Sequence, residues 1–155
     1  MRPMFDHEKV EVYQPELQFI AWATKLIAEV TASGAPRVAD ACDHLDRAGL
    51  SAVFNAAEGN GKRQRQVRER YFDDARGSVM ECASCLDALV AKGATTHERI
   101  LDGKDMLVRE YSMLTRLVQR LSDDECVRED EIEYDVPGLC RSARHKTKQV
   151  IHIQL

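Results

Sequence analysis

The chain has 155 residues, enough for one domain with a substantial core. Hydrophobic residues make up 44% and charged residues 31%, with a net charge of −4, the balance of a soluble globular protein. No apolar run approaches the roughly 20 residues of a membrane helix, and the opening Met-Arg-Pro-Met-Phe-Asp-His-Glu lacks a signal-peptide stretch, so no membrane and a cytoplasmic location are expected.

The net charge hides an asymmetry. Residues 122–135 hold eight acids against one Arg, residues 137–155 hold four basic residues and no acid, and residues 1–121 are nearly neutral. Five cysteines (Cys42, Cys82, Cys85, Cys126, Cys140) are odd in number and show no framework spacing, so free thiols are expected.

In chain order, the first predicted helix starts near Gln14-Pro15-Glu16, where proline suits the first turn and Glu16 the positive end. Leu17, Ile20, Ala23 or Thr24, Ile27 and Val30 recur at helical spacing beside Phe19, Trp22 and Leu26, up to a stop at Ser33-Gly34-Ala35-Pro36. A second helix spans about Val38 to Ala57, with Ala41, Cys42, Leu45, Ala48, Ala52, Val53 and Ala56 inward. Gly49 costs it about 1 kcal/mol relative to Ala, which places a kink or break near Ala48–Ser51 among the options. The third helix runs from about Gln64 to Val90 with Val67, Tyr71, Phe72, Ala75, Val79, Cys82, Leu86, Leu89 and Val90 inward. Gly77 within it signals close packing with a neighbour, and Lys92-Gly93 signals its stop.

Thr95-x-x-Glu98 has the capping-box pattern and opens a fourth helix carrying Ile100, Leu101, Leu107, Val108, Tyr111, Leu114, Leu117, Val118 and Leu121, with Asp102-Gly103 as an interruption of its first turn. Four amphipathic helices with short links predict an all-α, up-down-up-down bundle over residues 10–121. Residues 122–155 read as an irregular, charged tail, its acidic part mobile or a solvated helical extension.

Between the second and third helices lies the segment that organises the rest, Asn55-Ala-Ala-Glu58-Gly59-Asn-Gly61-Lys62-Arg63. Gly59 reads as a left-handed helix C-cap and Gly61 as room for the chain to reverse. Asn55 and Glu58, three apart, share one side of the helix end. They form either a polar site or a structural corner in which they satisfy backbone groups, or in which Glu58 pairs with Arg76. Just beyond stand Lys62, Arg63, Arg65, Arg68 and Arg70, a candidate phosphate-binding cluster or equally a solvated face or subunit contact. In an up-down bundle the third helix begins where the fourth ends, so the acidic run 123–135 is expected to shield this cluster.

Cys82-Ala-Ser-Cys85 has metal-pair spacing, but tetrahedral zinc needs four donors and only Cys42 or His44 is a loose candidate. Buried thiols, no metal and no cofactor are the expectation, and no nucleophile–base, phosphate-loop or paired-carboxylate pattern points to an enzyme.

The corner motif, with Tyr71-Phe72-x-x-Ala75-Arg76-Gly77-Ser78-x-x-Glu81-Cys82 and the opening Glu11-Val12-Tyr13-Gln14, resembles the four-helix-bundle proteins encoded in intervening sequences of 23S ribosomal RNA. The accessory protein of diversity-generating retroelements is a related member. Over about Val10 to Leu121 the resemblance implies a left-handed bundle, a homo-pentamer, and a role with RNA or a nucleic-acid enzyme such as a reverse transcriptase. Ala56 stands where the family usually has isoleucine, Phe54 is bulkier than expected, and the tail has no counterpart. The expected function is a non-catalytic, oligomeric adaptor associating with RNA or a reverse transcriptase. The alternative is a homo-oligomeric protein scaffold that binds no nucleic acid, with Trp22, Phe19 and part of the second helix at the interface. A metal-binding enzyme would require Cys82 and Cys85 to converge with Cys42 or His44.

Overall fold

A computed structural model describes the backbone of residues 3–129 and the side chains of residues 3–122. A 3-10 turn, Asp6–Lys9, leads into four helices: α1 (Tyr13–Ala32), α2 (Ala39–Gly61), α3 (Arg65–Ala91) and α4 (His97–Glu129). No strand occurs among the described residues, and the fold is the all-α four-helix bundle that the apolar spacing predicts. Ser51 of α2 meets Ser78 of α3, while Glu58 further along α2 meets the earlier Tyr71. Likewise Lys104 of α4 meets Asp87 of α3, and Arg120 meets Arg65. These neighbours therefore run antiparallel. The seam between α2 and α3 is the broadest and that between α1 and α4 the narrowest.

Each helix supplies a stripe to one core. Phe19, Ala23, Leu26 and Val30 come from α1, with Val12 just before it, and Leu45, Ala48, Ala52 and Ala56 from α2. Phe72, Ala75, Val79, Cys82, Leu86 and Leu89 come from α3, and Ile100, Leu107 and Leu114 from α4. A fully buried Leu or Phe contributes about 1.5–3 kcal/mol. Small residues on α2 face the bulk of Phe19 and Ile20: Gly49 lies against both, and α2 continues past it without a break. Phe19 is thus core and not interface. Leu17 on α1 and Leu101, Val108 and Tyr111 on α4, expected inward, are exposed at the edges of their stripes; α4 buries a narrow face of Ile100, Gly103, Leu107, Glu110 and Leu114.

Two helix ends differ from expectation for local reasons. α2 continues four residues beyond Ala57, through Gly59 to Gly61, and Lys62 is the extended C-cap. The positive-φ glycines among the described residues are Gly34 and Gly93, so Gly59 is helical and not a left-handed cap. The left-handed cap sits at Gly93 (φ 68), as the Lys92-Gly93 stop implies. The Gly93 N–H donates to the Val90 carbonyl (2.8 Å) and the Ala94 N–H to that of Leu89 (3.0 Å). At the start of α4 the cap is Thr96, one residue later than expected, its Oγ1 accepting from the Arg99 N–H at 3.3 Å.

Gly103 does not interrupt α4; it is buried where a Cβ would overlap the indole of Trp22. Gly77 is the reverse case, exposed with nothing within 4 Å of a Cβ, so no close packing explains it. α4 continues past Leu121 to Glu129. The rest of the expected tail, with its proposed shielding of the basic cluster, lies outside the described residues.

Candidate nucleic-acid interface

The end of α2, the start of α3, the 3-10 turn and the C-terminal part of α4 meet at one pole of the bundle. Gly59 builds this pole by close approach: a Cβ there would stand 2.9 Å from the Tyr71 Cβ and 3.4 Å from the Arg68 carbonyl oxygen. Gly61, with open space around it, ends the helix. Three residues on, α3 starts without a side-chain cap and without an acid in its first turn, leaving its positive end uncompensated.

The basic cluster divides into tied and open members. Lys62 Nζ donates to Glu58 Oε1 at 2.7 Å and lies 4.9 Å from the centre of the Tyr71 ring, whose hydroxyl donates to the same carboxylate at 2.9 Å. The Lys62 hydrogen bond, then that of Tyr71, holds the Glu58 carboxyl below its ordinary range. Glu58 therefore pairs with Lys62 and not with Arg76. Arg76 instead pairs with Asp73 and lies over the Tyr111 ring at 5.6 Å. Asn55 donates to the Ser51 hydroxyl at 3.2 Å, and Ser51 lies 3.0 Å from the Ser78 hydroxyl, a polar seam between α2 and α3. Asn55 and Glu58 thus join contacts between α2 and α3, Gly59 allows their close approach and Gly61 ends α2, whereas Arg76 and Gly77 lie further along α3.

Arg65 is half-buried and donates from Nη2 to the Arg120 carbonyl at 3.0 Å, fastening α3 to α4. Ser122 adds a second tie, donating to Glu69 at 2.6 Å. Arg63 and Arg70 are exposed. Arg68 lines a concavity of about 450 Å³ with Lys9, Asn60, Phe72, Leu117 and Arg120, beside Asp6, Val10 and Glu11. Its Nε is enclosed and has no hydrogen-bond acceptor among the described residues. Asp6 is engaged with Lys9 at 2.7 Å. Lys9 and Arg120 belong to the site and were invisible as members in the sequence, since they lie about 50 residues to either side of the cluster.

Cys42, Cys82 and Cys85 are free and buried. Burial pushes the Cys82 thiol up to about 12, and those of Cys42 and Cys85 upward, so these thiols are inert apolar fillers. His44 is exposed and lies 3.6 Å from Glu81, so it does not converge on them. Among the described residues no group of three or more His, Cys, Asp or Glu could hold a metal ion. No helix among them is long and apolar enough to cross a membrane.

Sequence reading missed a second feature. Glu16 and Glu110 are buried in the core, each about 1% exposed. The signal was present: Glu16 falls on the Val12–Phe19–Ala23 stripe and Glu110 on the Leu107–Leu114 stripe.

A search of curated proteins finds no match. The family described as 23S rRNA-intervening sequence protein matches residues 8–116, spanning α1 to α3 and α4 as far as Arg116. That stretch is well over half of the chain and coincides with the bundle, so the chain belongs to the 23S rRNA-intervening sequence protein family.

Proposed function

We propose that this protein is a non-catalytic binding adaptor whose basic pole engages the phosphate backbone of single-stranded RNA or of a nucleic-acid enzyme's template. The observation that carries this reading is the convergence of Lys9, Arg68 and Arg120 from three elements on one concavity, with Arg63 and Arg70 exposed nearby. The Arg68 Nε, enclosed without an acceptor, is a donor available to a phosphate oxygen. The uncapped start of α3 adds favourable potential for an anion. The aromatic side chain that lines the concavity, Phe72, is itself buried, so the contacts proposed there are to backbone phosphates and carry little sequence preference.

Titration of labelled single-stranded RNA against the full chain at several salt concentrations tests this. Arg68→Ala with Arg70→Ala should weaken binding and flatten the log–log salt slope by about 0.7 per lost phosphate contact. Unchanged affinity and slope would reject the pole as the interface.

The scaffold reading is favoured by a different observation. Phe54 (63% exposed), Val108 (64%) and Met80 (53%) present apolar surface, the latter two beside a groove of about 240 Å³ between α3 and α4. On this reading the protein acts as a homo-oligomer, a pentamer if it follows its sequence likeness, and the basic pole meets acids of a neighbouring subunit. Binding of no RNA even at low salt, with self-association intact, would leave this reading in front.

A further inference from the structure

Glu16 lies near the start of α1 and Glu110 midway along α4, on either side of the narrowest seam in the bundle. That seam also joins Trp22 to Gly103 and Glu29 to Arg99, the latter by two hydrogen bonds at 2.8 and 2.9 Å. Moving six residues back along α1 from Trp22 and seven forward along α4 from Gly103 reaches Glu16 and Glu110. The antiparallel register therefore sets the two carboxyls abreast, nearly two turns below the indole.

Both oxygens of Glu16 and Oε1 of Glu110 are buried without a hydrogen-bond partner among the described residues. Glu110 is the charged group that bears on Glu16, and among the described residues no cation bears on either. From α3 the Cys82 thiol, itself held neutral by burial, bears on Glu110. Among the described residues no titratable group of α2 or of the 3-10 turn bears on either carboxyl. Two carboxylates brought together in an apolar interior without a cation repel and are poorly solvated, so the closed seam requires them to carry protons.

We propose that Glu16 and Glu110 form a proton-operated latch: protonated, they seat α1 against α4, and ionised together they release the N-terminal part of α1 from the bundle. Burial, with the neighbouring Glu110 adding to it, pushes Glu16 up to about 8, and burial alone pushes Glu110 up to about 8. In the unfolded chain both ionise near the ordinary carboxyl value of 4.5. The unfolded state therefore binds fewer protons across this window. Stability falls as pH rises from about 4.5 to about 8 and levels off above. The segment leading into α1 also walls the basic concavity through Val10 and Glu11, so release of the latch opens that site. The latch itself does not depend on what the pole binds.

Hydrogen exchange on the full chain, corrected for intrinsic rates, at about pH 6 and about pH 9 tests the proposal. Amides of the first half of α1 should lose protection at the higher pH before those of α2 and α3, and a Glu16→Gln/Glu110→Gln variant should not show this loss. Uniform loss over all helices, or the same loss in the variant, overturns it. Should that variant fail to fold, infrared spectroscopy of the unmodified protein decides. A protonated-carboxyl band should persist near pH 6, where exposed carboxyls are ionised, and vanish by about pH 9. Complete carboxyl ionisation by about pH 6 would equally end the latch.

Discussion

A Cβ on Gly59 would meet the Tyr71 Cβ at 2.9 Å, and neither atom can move without shifting a helix axis. Gly59→Ala should therefore destabilise the protein by about 1–3 kcal/mol through overpacking. Because the residue is helical, Gly59→Asn should cost at least as much as Ala. An Asn variant milder than Ala in chemical denaturation would instead support a left-handed cap, where Asn is tolerated. Gly77 is the opposite case: exposed, in mid-helix, with nothing near its missing Cβ. Gly77→Ala should raise stability by about 0.5–1 kcal/mol, and a lowered melting temperature would show that something packs there. The glycines looked alike in sequence, since a one-letter G reports freedom and not what approaches it.

At the scale of the elements, capping decides where helices begin and what their ends offer. Thr96→Ala removes the hydroxyl that accepts from the Arg99 N–H, and should cost about 1 kcal/mol. Thr95→Ala should cost clearly less, because Thr95 lies outside the helix; equal losses in the two variants would contradict the observed start. The start of α3 carries neither a side-chain cap nor an acid. Gln64→Asp should stabilise α3 by about 0.5–1 kcal/mol by capping and complementing its positive end. The same substitution should weaken RNA binding at the pole, so a variant with a higher melting temperature and lower affinity is the expected outcome. A rise in both would separate the pole from nucleic-acid binding.

For the whole molecule, the exposed Phe54, Met80 and Val108 bear on assembly. Sedimentation should find an oligomer of the 17.6 kDa chain at micromolar concentration, and Phe54→Ser with Val108→Ser should shift it toward smaller species. A monomer at all concentrations would remove the scaffold reading, while an oligomer unmoved by both substitutions would place the contacts elsewhere. The ties between α3 and α4 at the pole, Arg65 to the Arg120 carbonyl and Ser122 to Glu69, persist within one chain, so the pole does not wait on assembly to form.

Four helices, their order and most of their core followed from the sequence alone, because a spacing of three and four is a local property and each stripe must be buried on something. The corner and its basic cluster were legible for the same reason, being nearly contiguous. Contacts between distant residues were not. Lys9 and Arg120 join Arg68 only once the 3-10 turn and α4 are packed at the same pole. Trp22 finds its place through a missing Cβ on Gly103, 81 positions away, a relation no periodicity encodes. Glu16 and Glu110 each fell on an apolar stripe, yet only the register of α1 against α4 sets them abreast. Whether a charged residue faces water or another acid depends on the neighbouring helix, and that is decided by packing, not by the residue's own surroundings in the chain.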